Sequence, residues 1–104
     1  MFGRMAVRRL LAVASLALTT LATAETGVTD GSILIGQSVP LTGPAQELGI
    51  EMRLGAKLYF DQINSQGGVN GRKIKLLTLD DGYEPERATA NTKQLIDKDD
   101  VFAL

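Results

Sequence analysis

Two acids in a row, Asp80-Asp81, follow the apolar run from Ile74 to Leu79 and are the first residues to weigh for chemistry. Paired carboxylates can share a proton or hold a metal ion when both face one site. Adjacent residues of an extended chain point to opposite sides, however, so this spacing favours a structural role, and capping of the helix that follows is the expectation. The cluster Gly67-Gly68-Val69-Asn70-Gly71 is a second candidate. Glycine-rich loops that cradle phosphate follow a strand and open a helix, whereas this one follows a helical pattern and opens a strand. It reads as a helix stop and a turn, with Gly68 or Gly71 at positive φ. The third candidate is the run from Ile33 to Gly49, ILIGQSVPLTGPAQELG, a strand leading into a loop. Ligands of open α/β sheets bind beyond the carboxyl ends of strands, which makes this loop the candidate binding segment. There is no histidine and no cysteine, so the usual donors for zinc or copper are missing and no cofactor is expected.

The elements that must position these residues follow from periodicity. Ile33-Leu34-Ile35 reads as the first strand, ended by Gly36-Gln37-Ser38, and Pro40, Gly43 and Pro44 punctuate the loop after it. From Glu47 to about Gln66, apolar Leu48, Met52, Tyr59, Phe60 and Ile63 recur at helical spacing, with Gly55 and Ala56 placed to let the helix approach a sheet. Tyr59 and Phe60 are expected in the core. Arg72 to Asp80 is the second strand, with Lys73 and Lys75 at its start, and Pro85 suits the first position of a second helix running to about Lys98. Val101 to Leu104 starts a third strand. The order β-α-β-α-β with short loops predicts a parallel sheet with helices on both faces, right-handed crossovers and the first strand in the middle.

The amino end has the three parts of a secretory signal peptide: Arg4, Arg8 and Arg9 without an acid, an apolar run from Leu10 to Leu18, and Ala22-Thr23-Ala24. Cleavage after Ala24 is expected, by a Sec-type route despite the Arg8-Arg9 pair. A bilayer span needs about 20 apolar residues, and this run gives way to threonines sooner. The domain division is thus 1–24 signal peptide and 25–104 mature chain. Net charge is −1 for the whole sequence; without the leader, 8 basic residues stand against 12 acidic ones, a net of −4. That balance lacks the basic stripe of a nucleic-acid binder. Without cysteine the mature protein carries neither a disulfide nor a lipidated amino-terminal cysteine, so it is expected free of a membrane anchor, in a bacterial periplasm.

The run PLTGPAQELGIEMRLGAKLYFDQINSQGGVNGRKIKLLTLDDGYEPERA resembles the amino-terminal part of the substrate-binding proteins of branched-chain amino-acid ABC transporters, the type I periplasmic binding family. Ile63-Asn64 followed by Gly67-Gly68-Val69-Asn70-Gly71-Arg72 is its most specific piece. The resemblance implies the start of a Rossmann-like α/β lobe, with the second lobe missing, from a hinge-closing receptor. Such a receptor takes a small solute, an amino acid or a related carboxylate or amide, to an inner-membrane permease and is not an enzyme. It implies two ligand-binding positions: Leu48, where amino-acid-binding members often place an aromatic side chain in the cleft, and Tyr83, near a position that is often a disulfide cysteine. It also implies that most first-lobe contacts lie beyond Leu104, so that a truncated chain would not bind solute well alone. A sensory receptor domain of the same fold, or a gene fragment without function, are the alternatives. A Rossmann-like enzyme would want a glycine-rich strand-to-helix turn or a nucleophile elbow, and Pro40 to Gly49 has neither.

Overall fold

A computed structural model of the protein describes residues 25–104; the leader expected over 1–24 lies outside the described residues. Four elements follow one another: strand β1 (Ser32–Val39), helix α1 (Gln46–Ser65), strand β2 (Lys73–Asp80) and helix α2 (Pro85–Asp97). β1 and β2 pair in parallel, from Ser32 opposite Lys73 to Val39 opposite Asp80. On the other side of β1 the chain returns at Phe102 and Ala103. The Phe102 N–H donates to the Leu34 carbonyl and the Gly36 N–H to the Ala103 carbonyl, both at 2.8 Å, in a parallel bridge between Ile35 and Ala103. The third strand is therefore present as its first bridge, and β1 lies between it and β2, as the β-α-β-α-β reading predicts.

β1 runs on through Gly36-Gln37-Ser38, where the sequence suggested that it stops. The correction has a packing cause. Gly36 is fully inside the strand, bonded to Ala103, and a Cβ there would meet side-chain atoms of Leu104, Val101 and Leu95 at 2.9, 3.1 and 3.2 Å. The glycine makes room for the core on this face, where Leu95 of α2 is completely buried and Val101 is nearly so. Residues of a strand alternate between faces, so Ser38 points the same way as Gly36, and it meets Asn91 of α2. The opposite face carries α1, with Phe60 beside Ile74 and Leu76. Helices thus cover both faces.

α1 approaches the sheet through a different glycine from the one expected. Gly55 is exposed, with open space where its Cβ would be, whereas Gly49 is buried against the carbonyl of Pro40, onto which a Cβ would fall. Residues 49, 56, 60 and 63 recur at helical spacing and form the less exposed stripe. Tyr59 is the other correction: it is 62% exposed, not in the core. Neighbouring helical residues diverge by about 100°, so Phe60 and Tyr59 cannot both face the sheet.

The segment Ile63 to Arg72 is a compact connector. The Gly68 N–H donates to the Ile63 carbonyl and the Gly67 N–H to that of Asn64, the paired bonds of a Schellman helix end. Val69 and Arg72 then close a tight turn over Asn70 and Gly71, both at positive φ. Gly68 also has positive φ, as the sequence requires of it or of Gly71. Asn64 completes the connector: its amide donates to the Ile74 carbonyl at 2.8 Å and accepts the Ile74 N–H at 2.7 Å. A side chain here does what a neighbouring strand would do, satisfying one residue on the free edge of β2.

Three outcomes follow from this packing, all measurable as denaturation midpoints of the chain. Gly49→Ala should destabilise by about 1–3 kcal/mol through overpacking against Pro40, while Gly55→Ala should stabilise by about 0.5–1 kcal/mol by removing an exposed helical glycine. Asn64→Ala should cost about 1–3 kcal/mol, because it leaves both backbone groups of Ile74 unpartnered in a part-buried site.

Candidate functional site

The carboxyl ends of β1 and β2 stand side by side, and Asp80-Asp81 occupies the end of β2. The two acids point apart, as their adjacency demands, and each ties a different pair of segments together. The Asp80 carboxylate accepts the Leu41 N–H at 2.7 Å, the Thr42 hydroxyl at 2.7 Å and the Gly82 N–H at 2.9 Å. Arg87 approaches it at 3.5 Å and donates to its backbone carbonyl at 3.2 Å. Asp81, only 7% exposed, accepts the Ser38 hydroxyl at 2.9 Å and the Tyr83 N–H at 2.8 Å. The Asn91 amide closes the network by donating to the Ser38 oxygen at 3.2 Å and the Asp80 carbonyl at 2.9 Å.

The expectation that these acids cap α2 is therefore corrected. The helix starts from Glu84 without a side-chain cap, and the acids bind loop groups instead. Two residues separate Asp81 from Glu84, and they form a tight turn in which the Glu84 N–H reaches the Asp81 carbonyl at 2.9 Å. That turn directs the carboxylates back toward the loop after β1. Among the described residues no group of three or more acidic side chains is placed to hold a metal ion.

Beside this network lies an open concavity of about 480 Å³. It is lined by Leu48 and Met52 of α1, by Val39 and Pro40 at the end of β1, and by Tyr83, Pro85 and Ala88 around the start of α2. Ser38 and Asp81 are its polar edge. The two residues singled out in the sequence, Leu48 and Tyr83, are 35 positions apart and are brought to the same wall. They are 55% and 71% exposed. Met52, which the helical period places in the apolar stripe of α1, is also a wall residue, because periodicity alone does not separate a flank from a core face; Ala88 carries no sequence signal of its own. A second concavity, about 320 Å³, runs beside Phe60, Ile74 and Leu76. It lies along the free edge of β2 and not beyond the strand ends, so it lacks the loop amides and the turn that surround the first.

Tyr83 has φ +62°, and Gly82 before it has φ +56°. Positive φ at both central positions defines this turn, and for a tyrosine it costs about 1–2 kcal/mol. The bond from its N–H to Asp81 holds it there.

Comparison with known proteins adds the context. Residues 32–104 match the model of the periplasmic binding protein family. The chain belongs to that family. An amino acid binding protein of Pseudomonas aeruginosa is 39% identical over 72 residues, which are 69% of this chain and 19% of that protein. Among solved structures, a possible leucine/isoleucine/valine-binding protein from Rhodopirellula baltica is 39% identical with a TM-score of 0.65, covering 77% of this chain and 21% of that one. A fatty acid ABC transporter substrate-binding protein from Thermomonospora curvata is 32% identical with a TM-score of 0.66, covering 75% and 19%. The chain thus spans about a fifth of the length of these periplasmic binding proteins. The resemblance drawn from the sequence holds, and so does the α/β fold class.

The Asp80 clamp has a pH consequence. The Thr42 hydroxyl first, then the Leu41 and Gly82 N–H groups and the Arg87 charge, hold its carboxyl well below its ordinary value of 3.8. A depressed folded value means that the charged form supports the fold: this contribution is complete above the unfolded value and is lost as pH falls from about 4 into stronger acid. Asp80→Asn should therefore lower the denaturation midpoint at pH 7, with the gap to the unaltered chain closing as pH is taken below 4. Equal gaps at pH 7 and pH 2 would show that the carboxylate's charge is not what holds the loop.

Proposed function

We propose that this chain supplies part of the first lobe of a periplasmic solute-binding protein that serves an ABC importer of amino acids or related small carboxylates and amides. The observation that carries the reading is the concavity at the strand ends, which Leu48 and Tyr83 line together beside the Asp80 and Asp81 networks. Its position is the one where open α/β sheets take ligands. The relatives support the class: one is an amino acid binding protein, and one a possible leucine/isoleucine/valine-binding protein. Binding by enclosure between two lobes needs an apolar wall of this kind with a few polar groups fixed around it, and asks for no catalytic residue. The partners that follow are a small solute and an inner-membrane permease. Residues 1–24 act in this reading as the leader that delivers the protein to the periplasm and is then removed.

A chimaera tests the reading. Residues 32–104 replace the matching segment of the Pseudomonas aeruginosa relative, and binding of a panel of amino acids is followed by calorimetry. Micromolar binding of a panel member is expected. Leu48→Asp, which sets a charge on the wall, should weaken it by on the order of tenfold or more. Leu58→Asp on the outer side of α1 should leave it unchanged. Equal losses from both substitutions, or none from Leu48→Asp, would place the solute elsewhere.

A further inference from the structure

Tyr83 occupies a backbone conformation that glycine or asparagine adopts at lower cost, and the fold gives it little in return. Its ring is largely exposed, so burial does not offset the strain of φ +62°. Strain of this kind, fixed by the surrounding structure, points to a use outside the fold itself. What fixes it is explicit. Buried Asp81 accepts the Tyr83 N–H, while Ser38, itself held by Asn91, donates to the other oxygen of Asp81.

The same bonds decide what the wall can offer a solute. Ser38 gives its one hydroxyl proton to Asp81, and both Asp81 oxygens are engaged. Arg87 is turned onto Asp80. No donor of this polar edge is left to receive a carboxylate, and the charge beside it is negative. Apart from the Tyr83 hydroxyl, the wall therefore offers the solute an apolar surface and disfavours its carboxylate. Leu48 and Met52, both more than half exposed, line the same concavity as Tyr83. A flat ring in that concavity gains aromatic contact with Tyr83 and a sulfur-aromatic contact with Met52, beyond the area it buries.

We infer that Tyr83 is a specificity-determining residue, which makes this wall prefer solutes bearing an aromatic group over those bearing a branched aliphatic or an amide group. The inference rests on the reading of the wall as a solute surface. It is tested by nuclear magnetic resonance on the two-lobed chimaera described above, titrating glycine, glutamine, leucine and phenylalanine, which share one ammonium and one carboxylate and differ only in the side group. Phenylalanine should shift the signals of Leu48, Met52, Tyr83 and Ala88 with an apparent Kd about fivefold below that of leucine, with glutamine weaker still. Tyr83→Gly removes the ring at a position where glycine is favoured, so the turn survives, and the preference for phenylalanine over leucine should vanish. Tyr83→Phe should keep it. A preference that persists in Tyr83→Gly, or glutamine binding as well as phenylalanine, overturns the role of Tyr83 while leaving the wall a solute surface. Absence of shifts at these residues with every probe removes the solute surface and the inference with it.

Discussion

The ends of β1 and β2 are joined by two neighbouring carboxylates that face opposite ways from one strand end. Asp80 reaches across to the backbone and hydroxyl of the loop after β1, and Asp81 reaches to the last polar residue of β1 itself. Parallel strands have no short connection at this end to hold them in place, and the loops that leave them run to separate helices on opposite faces. The carboxylates supply the missing link. Charge-assisted bonds to N–H and O–H groups are the stronger class of hydrogen bond, and here at least five converge on two side chains.

The wall proposed to meet the solute depends on that link in two ways. Fixing Leu41 and Thr42 fixes the course of Pro40, on which Gly49 of α1 rests, and so sets where Leu48 and Met52 stand. Fixing Tyr83 through Asp81 sets the opposite side. A loop carrying a binding surface is useful when a rigid scaffold positions it, and here the rigidity comes from the ends of the strands it extends. Leu95, Val39 and Val101 are the buried apolar residues beneath it among those described.

Across the molecule from the wall, the connector from Ile63 to Arg72 solves a different problem. A helix must stop, reverse and deliver a strand within a few residues while the outer edge of that strand has no neighbour among the described residues. Glycines at the helix end, a tight turn over Asn70-Gly71 and the two-bond grip of Asn64 on Ile74 meet these needs in sequence order. This is why the most specific stretch of the sequence is a structural one, remote from the wall proposed for the solute.

The sequence by itself determined the alternation of strands and helices, the parallel sheet with β1 inside, the helix stop at Gly67-Gly68 and the family resemblance. Each of these is written in local terms: apolar period, turn residues and their order along the chain. Only the tertiary structure decided which side of α1 meets the sheet, because its apolar residues spread over more than one flank and the close approach falls at Gly49 and not Gly55. It likewise carried β1 through Gly36, whose bareness is a space for Leu95, Val101 and Leu104 and not a strand end. The acids were legible as structural from their adjacency, but their partners were not, since Leu41, Thr42 and Ser38 lie some forty residues away and are reached through the pairing of the strands. Leu48 and Tyr83 could be named one at a time along the chain. That they form one surface is a property of the parallel register, which places Val39 beside Asp80 and so brings the two loops together.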